Sequence, residues 1–366
     1  MDTGMSVPVS AVRTMVARAR LAPSTHNTQP WSWTVQACPD DPSRACALEL
    51  SRVRDRRLEL TDPGGRELVI SCGAALLTLR VAAAELLMDT AVSVLPDPAR
   101  PDLLARVTFV EGSVDAAFSG LDAAVPVRHT WRRPFGPRKL PVGLLSRLEA
   151  EVADEGARLL VVTAMDVGVL AGLVRASESE LYADRRRRAE LARWLRPRWR
   201  GDGVPVTPLA VIPARLALRQ GMAGRRIAAR DAAGLLDAPA VVVLSTAQDG
   251  IAGWLAAGQG LQRLLLVAAA AGVAAGFANG PCQDARRRAA LRELLGGELH
   301  PQVIMRLGFP AVPGRAVPRR SLEDLLVWPV TGHRGTGSDT GAAARSAPEP
   351  GWGPGESPDD DEDQLG

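Results

Sequence analysis

The sequence predicts an α+β fold in which two related halves pack on each other as a pseudo-dimer around central helices. The main observation is a repeated pattern: a helix rich in alanine and other small residues leads into a short strand. Residues 73–84 (GAALLTLRVAAA) align with residues 258–269 (GQGLQRLLLVAA), and continuing without a gap places Pro96 opposite Pro281. Because small residues allow close approach between helices, we expect these two helices to form the central pair.

Hydrophobic periodicity and turn residues predict the remaining elements. In the first half they are a helix over Val9–Arg20, strands over Trp31–Val35 and Ala47–Leu50, a turn at Asp62–Gly65, a helix over Glu67–Leu87, and strands over Val92–Leu95 and Leu103–Val110. In the second half we expect a strand in residues 156–162 and a buried helix followed by a strand in residues 264–278. A further strand covers His300–Gly308.

These elements divide the chain into a first half, residues 1–122, and a second half, residues 123–330. The second half contains an insertion at about residues 177–238, with a helical start from Leu170 to Leu195 and a segment rich in proline and glycine. A long insertion of this kind is either a lid over a site or an arm that wraps the other half. Residues 331–366 are rich in Gly, Ser, Pro and acidic residues, which predicts a disordered acidic tail.

The composition is that of an ordinary globular protein, with 46% hydrophobic and 23% charged residues. The net charge of +3 gives no reason to expect a nucleic-acid partner. We find no signal peptide or membrane-crossing segment, which predicts a cytoplasmic protein without a membrane partner. The four cysteines have no metal-ligand spacing and are not expected to form a disulfide framework in a chain of this length.

The segment from Ala22 to Trp31 (APSTHNTQPW) is the most informative motif. It combines prolines, hydroxyls and two side-chain amides that can both donate and accept hydrogen bonds. Such residues can form an ordinary turn or helix cap, or a rigid polar binding loop. The pattern P-S-x-x-N-x-Q-P-W resembles the flavin-contacting loop of the FMN-dependent nitroreductase superfamily. The resemblance implies a nitroreductase-like fold and an FMN site to which this loop contributes Pro23, Ser24, Thr25, Asn27 and Gln29.

Two basic segments extend the resemblance. Residues 128–135 (RHTWRRPF) are similar to the family's phosphate-binding opening, with Arg128, His129 and Thr130 as the main candidates and Arg132 as a weaker one. Arg319 and its neighbour Arg320 resemble the family's C-terminal basic residue, which reaches the phosphate and the flavin pyrimidine. Without the resemblance, both segments could be solvated basic turns.

Asn279 and Gly280 correspond by resemblance to a strand end that borders the reactive edge of the flavin, although a simple turn is the alternative. The first half has the polar loop but not the Arg-x-Thr opening, and the second half has the opening but not the loop. The two halves therefore predict one complete FMN site in a chain that acts as a monomeric pseudo-dimer. The chain looks most similar to the Acg-type branch, whose members fuse two such halves and carry a lid.

This resemblance implies an FMN oxidoreductase that reduces a small-molecule acceptor, a nitroaromatic or a quinone, with NAD(P)H as the possible donor. The chemistry would take place on the flavin, so no catalytic side chain and no metal are expected. The alternative is a flavin storage or stress protein, in which Trp194, Trp199 and Pro205 of the insertion cover the ring and prevent nicotinamide turnover. A hydrolase is disfavoured because no Gly-x-Ser-x-Gly motif is present.

Overall fold

Helices and antiparallel strands alternate along the computed structural model, which describes residues 4–110, 116–197, 199–206, 208–221 and 224–328. The predicted tail, 331–366, lies outside the described residues. The first part of the chain contains β1 (Gly4–Met5), β2 (Val7–Pro8), α1 (Val9–Ala19), β3 (Trp31–Ala37), β4 (Arg44–Arg52), α2 (Arg66–Glu85), β5 (Asp89–Val94) and β6 (Leu103–Val110).

The rest of the chain contains α3 (Leu144–Ala153), β7 (Arg158–Val161), α4 (Val167–Ala183), α5 (Arg185–Arg193), β8 (Leu195–Pro197), β9 (Val204–Val206), α6 (Val211–Gln220), α7 (Gly224–Leu236), β10 (Ala240–Thr246), α8 (Ile251–Ala270), β11 (Ala274–Phe277), α9 (Gly280–Gln283), α10 (Ala285–Leu294), β12 (His300–Gly308) and β13 (Leu326–Val327). The bounds of β6 and β12 are those that the sequence predicts. The helix predicted after the Asp62–Gly65 turn is confirmed as α2.

Two antiparallel sheets share one pairing order. In the first sheet the order is β5–β6–β4–β3. In the second sheet it is β11–β12–β10–β7. The C-terminal strand β13 then pairs in parallel with β3, which joins the end of the described chain to the first sheet. An equal strand order is what two related halves require, and residues 1–329 form one compact unit that contains both sheets.

The central helices α2 and α8 cross at Gly73 and Gly258, the positions that the sequence alignment pairs. A β-carbon built on Gly73 would lie 2.2 Å from the carbonyl oxygen of Leu255, and one built on Gly258 would lie 2.1 Å from that of Ile70. Only glycine fits at such a backbone contact. Helix α2 is long and apolar enough, by length and composition, to cross a membrane, and 94% of its apolar window is buried inside the protein.

Cys38 and Cys46 form a disulfide at the end of the β3–β4 hairpin. The sequence predicts no disulfide framework, and this single pair was not foreseen. The hairpin brings their Cα atoms to 5.1 Å, within the range that a disulfide spans. Sequence length alone could not show this proximity, because it depends on which strands pair. Cys72 and Cys282 are free and buried.

The insertion packs beside both halves. Helix α4 lies against α7, and α5 lies against α6. The buried carboxylate of Glu190, on α5, accepts hydrogen bonds from Leu60 N at 2.9 Å, Thr61 N at 3.0 Å and Thr61 Oγ1 at 2.8 Å. These bonds fix the insertion to the loop that precedes α2.

Candidate functional site

A cavity of about 330 Å³ lies where the two halves and the insertion meet. Its volume falls at the lower end of the range for small-molecule and cofactor sites. Seven of the predicted cofactor-binding residues line it: Pro23, Ser24, Thr25, Thr130, Arg132, Asn279 and Gly280. The other six, Asn27, Gln29, Arg128, His129, Arg319 and Arg320, are not among its lining residues.

The polar loop after α1 has an unusual backbone. His26, Asn27 and Gln29 have φ values of 49°, 55° and 48°, in the left-handed region that L-residues seldom adopt. Each such residue costs on the order of 1–3 kcal/mol and persists only where its surroundings enforce it. Part of that enforcement is local, because Gln29 N donates to Ser24 Oγ at 2.9 Å.

Protein groups already bind the amides of Asn27 and Gln29. Asn27 Nδ2 donates to the carbonyl oxygens of Gly203 at 3.0 Å and Pro318 at 3.1 Å. Gln29 Nε2 donates to the carbonyl oxygen of Gly201 at 2.7 Å, and Gln29 Oε1 accepts from Arg320 N at 3.0 Å. In this structure the two amides therefore join the loop to the insertion and to the C-terminal segment.

Three arginines meet beside the cavity: Arg20, Arg128 and Arg319. Arg128 is buried, and its Nε and Nη1 have no hydrogen-bond partner among the described residues. Burial is the main cause that lowers the pKa of Arg128 to about 9, and the positive charge of Arg319 adds to the effect. Burial and the charge of Arg20 lower the pKa of Arg319 to about 10. The Nε atoms of Arg20 and Arg319 also lack a partner in the described part of the chain.

Arg319 also ties this cluster to the polar loop. Its Nη1 donates to Asn27 Oδ1 at 3.1 Å, and its Nη2 donates to the carbonyl oxygen of Leu21 at 3.2 Å. None of the hydrogen bonds that the three guanidinium groups donate within the described residues ends on a carboxylate. Buried positive charge that lacks an acidic partner is the electrostatic requirement of an anion site.

The cluster adjoins the cavity along the chain. Leu21, which accepts from Arg319, lies two residues before Pro23 of the cavity, and Arg128 lies two residues before Thr130. Two residues along the chain separate the Cα atoms of each pair by at most about 7 Å. A β-bridge between Thr130 and Ala275 sets Thr130 beside β11, and Trp131 N donates to the carbonyl oxygen of Ala275 at 2.8 Å. Residues of the arginine cluster and residues that line the cavity are thus close neighbours along the chain.

Known proteins are similar to this chain over most of its length. The nitroreductase family model matches residues 174–309. A Mycobacterium tuberculosis protein named "Putative NAD(P)H nitroreductase Rv3131" is 34% identical over 328 residues, which cover 87% of this chain and 91% of that protein. The chain belongs to the nitroreductase family. "Putative NAD(P)H nitroreductase acg" from the same organism is 29% identical over 334 residues, 90% of this chain and 98% of the relative.

Among solved structures, the chain is similar to the FMN- and NADPH-dependent nitroreductase NfnB from a Sphingopyxis strain. The identity is 19%, the TM-score is 0.40, and the match covers 57% of this chain and 98% of NfnB. An iodotyrosine deiodinase bound to FMN and 3-iodo-L-tyrosine gives 19% identity and a TM-score of 0.37, over 55% of this chain and 95% of that protein. Family membership, shown by the 34% identical relative, gives the chain an α+β nitroreductase-like fold.

The remaining family-motif residues have protein contacts of their own. Asn279 Oδ1 accepts from Ile304 N at 3.0 Å, which fixes the strand end that faces the cavity. His129 Nδ1 lies 2.6 Å from the carbonyl oxygen of Val127. Arg320 Nη2 donates to the carbonyl oxygen of Asp324 at 2.7 Å. The His129 contact is thus local, whereas Arg320 also reaches the polar loop, where its Nη1 donates to the carbonyl oxygen of Gln29 at 3.3 Å. Asn279 lines the cavity.

The cavity also contains titratable residues that the sequence motifs do not predict. Burial is the main cause that lowers the pKa of His26 to about 4, and the positive charge of Arg132 adds to the effect. The imidazole of His26 is therefore neutral at pH 7. Burial raises the pKa of Glu67, whose Oε2 accepts from Thr25 Oγ1 at 3.1 Å. Glu178 and Tyr182 enter from α4 of the insertion. In the sequence, the spacing of four residues between Glu178 and Tyr182 indicates only that both lie on one face of a helix.

Proposed function

We propose that this protein binds one FMN per chain across the cavity and the arginine cluster, and reduces a nitroaromatic or quinone acceptor with electrons from NAD(P)H. The observation that carries the proposal is the buried guanidinium of Arg128, which lacks a hydrogen-bond partner among the described residues beside a cavity of cofactor size. A phosphate monoester would supply the missing acceptors and the missing negative charge.

The residues present fit this cofactor. Arg128 and Arg319 would hold the phosphate, and the hydroxyls of Ser24, Thr25 and Thr130 offer polar contacts along the cavity. Bound FMN would supply reversible hydride chemistry, which the protein tunes through charge and access. The backbone at Asn279 and Gly280 would border the ring, because both residues line the cavity.

A second candidate function follows from the insertion. Its residues Glu178, Tyr182 and Asp231 line the cavity, while Gly201 and Gly203 bond to the polar loop. A cover fixed in this way favours a flavin-storing or stress-related role without nicotinamide turnover. Trp194, Trp199 and Pro205, which the sequence suggested as the cover, are not among the cavity-lining residues, and Trp199 is 71% exposed.

Anaerobic mixing of the FMN-loaded protein with NADH or NADPH separates the two functions. Rapid bleaching of the flavin absorbance, followed by recovery on addition of menadione or nitrofurazone, is the result expected of the oxidoreductase. Bleaching by dithionite alone would contradict it and would support storage. A protein that does not retain FMN would contradict both functions.

A further inference from the structure

Glu178 is a carboxyl group that faces the cavity without an internal partner. It lines the cavity from α4, and no hydrogen bond to its carboxyl occurs among the described residues. The other acids of the cavity are engaged: Glu67 accepts from Thr25 and Gln283, and Asp231 accepts from Arg230 at 3.2 Å. Glu178 is therefore free to bond to a bound molecule.

The carboxyl of Glu178 lies directly beside Gly280. A β-carbon built on Gly280 would lie 3.1 Å from Glu178 Oε1 and 2.8 Å from Ser177 Cβ. The absence of a side chain at Gly280 thus lets α4 bring this carboxyl against the strand end after β11. Under the proposed function, this strand end borders the flavin ring, so the carboxyl lies next to the place where an acceptor would be reduced.

The surroundings keep Glu178 protonated to a substantial extent near neutral pH. Partial burial raises its pKa to about 7, and the negative charges of Asp231 and Glu67 act in the same direction. The positive charge of Arg230, on α7, opposes them. Tyr182, one turn further along α4, also lines the cavity, and burial raises its pKa further above the neutral range. An acid whose pKa lies near the working pH is suited to proton transfer.

We propose that Glu178 is the proton donor to a quinone acceptor reduced in this cavity, an inference that rests on the proposed function. Reduction of a quinone to a hydroquinone needs two electrons and two protons. A hydride from the reduced cofactor carries both electrons and one proton. The second proton leaves the Glu178 carboxyl as its O–H bond breaks and a new O–H bond forms on the quinone oxygen. Water then reprotonates the carboxylate.

Two measurements on the FMN-loaded protein between pH 5.5 and 8.5 test this role. The first is the Kd of menadione for the oxidised protein, followed by fluorescence quenching. Protonated Glu178 donates a hydrogen bond to the quinone, so the Kd should rise about fivefold as pH passes 7. The second is the rate at which menadione reoxidises dithionite-reduced protein. Above pH 7 that rate should fall by about tenfold per pH unit, because the protonated fraction of Glu178 falls by that factor.

Glu178→Gln separates binding from proton transfer, because the amide can donate a hydrogen bond but not a proton. The variant should bind menadione with no pH dependence and reoxidise about 100-fold more slowly at pH 6. Glu180→Gln is the matched control, since Glu180 lies on the same helix but is exposed and paired with Arg287. It should keep both wild-type profiles.

The outcomes distinguish this inference from the function on which it rests. If Glu178→Gln retains FMN and reoxidises with the wild-type rate and pH profile, Glu178 is not the donor although the proposed function stands. Equal changes in both variants would also overturn the inference, because a general loss of negative charge on α4 would then explain them. If the wild-type protein binds no FMN, the proposed function and this inference fall together.

Discussion

Replacement of Gly73 by alanine tests whether the helix crossing at the centre of the fold is as close as the structure shows. The added β-carbon would lie 2.2 Å from Leu255 O and 2.9 Å from Gly258 Cα, both of them backbone atoms. Backbone cannot rotate away as a side chain can, so α2 and α8 would have to separate. Overpacking of this kind costs about 1–3 kcal/mol or more.

The direction of the stability change distinguishes a close helix crossing from an open one. In a helix interior free of neighbours, glycine to alanine stabilises by about 1 kcal/mol, because alanine has less backbone entropy to lose. Gly172, in α4, provides that control, since nothing lies within 4 Å of a β-carbon built there. In urea unfolding, Gly73→Ala should lower the midpoint and Gly172→Ala should raise it. A Gly73→Ala protein as stable as Gly172→Ala would refute the close crossing.

Two further predictions concern the insertion and the polar loop. Glu190→Gln should weaken the anchoring of α5 by about 1–3 kcal/mol, because an amide NH₂ would replace one of the oxygens that accept from Leu60 and Thr61. Amide hydrogen exchange in residues 185–193 should then become faster. Unchanged exchange would contradict the anchoring role of Glu190. His26 has a folded pKa of about 4 against an ordinary 6.5, so the unfolded chain binds more protons between these values and stability should rise with pH there. In His26→Asn this rise should be smaller, and an identical pH dependence of urea unfolding would contradict the assignment.

The local elements could be predicted because their signals are local. Alternating burial along β6 follows from its alternating apolar residues, which is why the predicted bounds Leu103–Val110 hold. The matched glycines at 73 and 258 were visible as small residues within aligned helices. The polar loop was recognisable because its prolines and amides occur in one short segment.

The partners of that loop could not be predicted from the sequence. Asn27 bonds to groups 176 and 291 positions away, so its role depends on how the insertion and the C-terminal segment return to the loop. The same holds for Glu178, which looks like an ordinary surface acid of α4 until Gly280 and Asp231 surround it. The Cys38–Cys46 pair was missed because its proximity depends on the hairpin register.

FMN binding by an Arg128→Met variant tests the central claim most directly. Wild-type protein should bind one FMN per chain and bind it more tightly than riboflavin, which has no phosphate. Loss of a charge-assisted contact of about 1.5–3 kcal/mol should weaken FMN binding about 10- to 150-fold and leave riboflavin binding unchanged. Arg147→Met, at an arginine whose side chain is 63% exposed on α3, is the control and should bind as the wild type does. If Arg128→Met binds FMN as tightly as the wild type, Arg128 does not hold the phosphate and the proposed site is wrong.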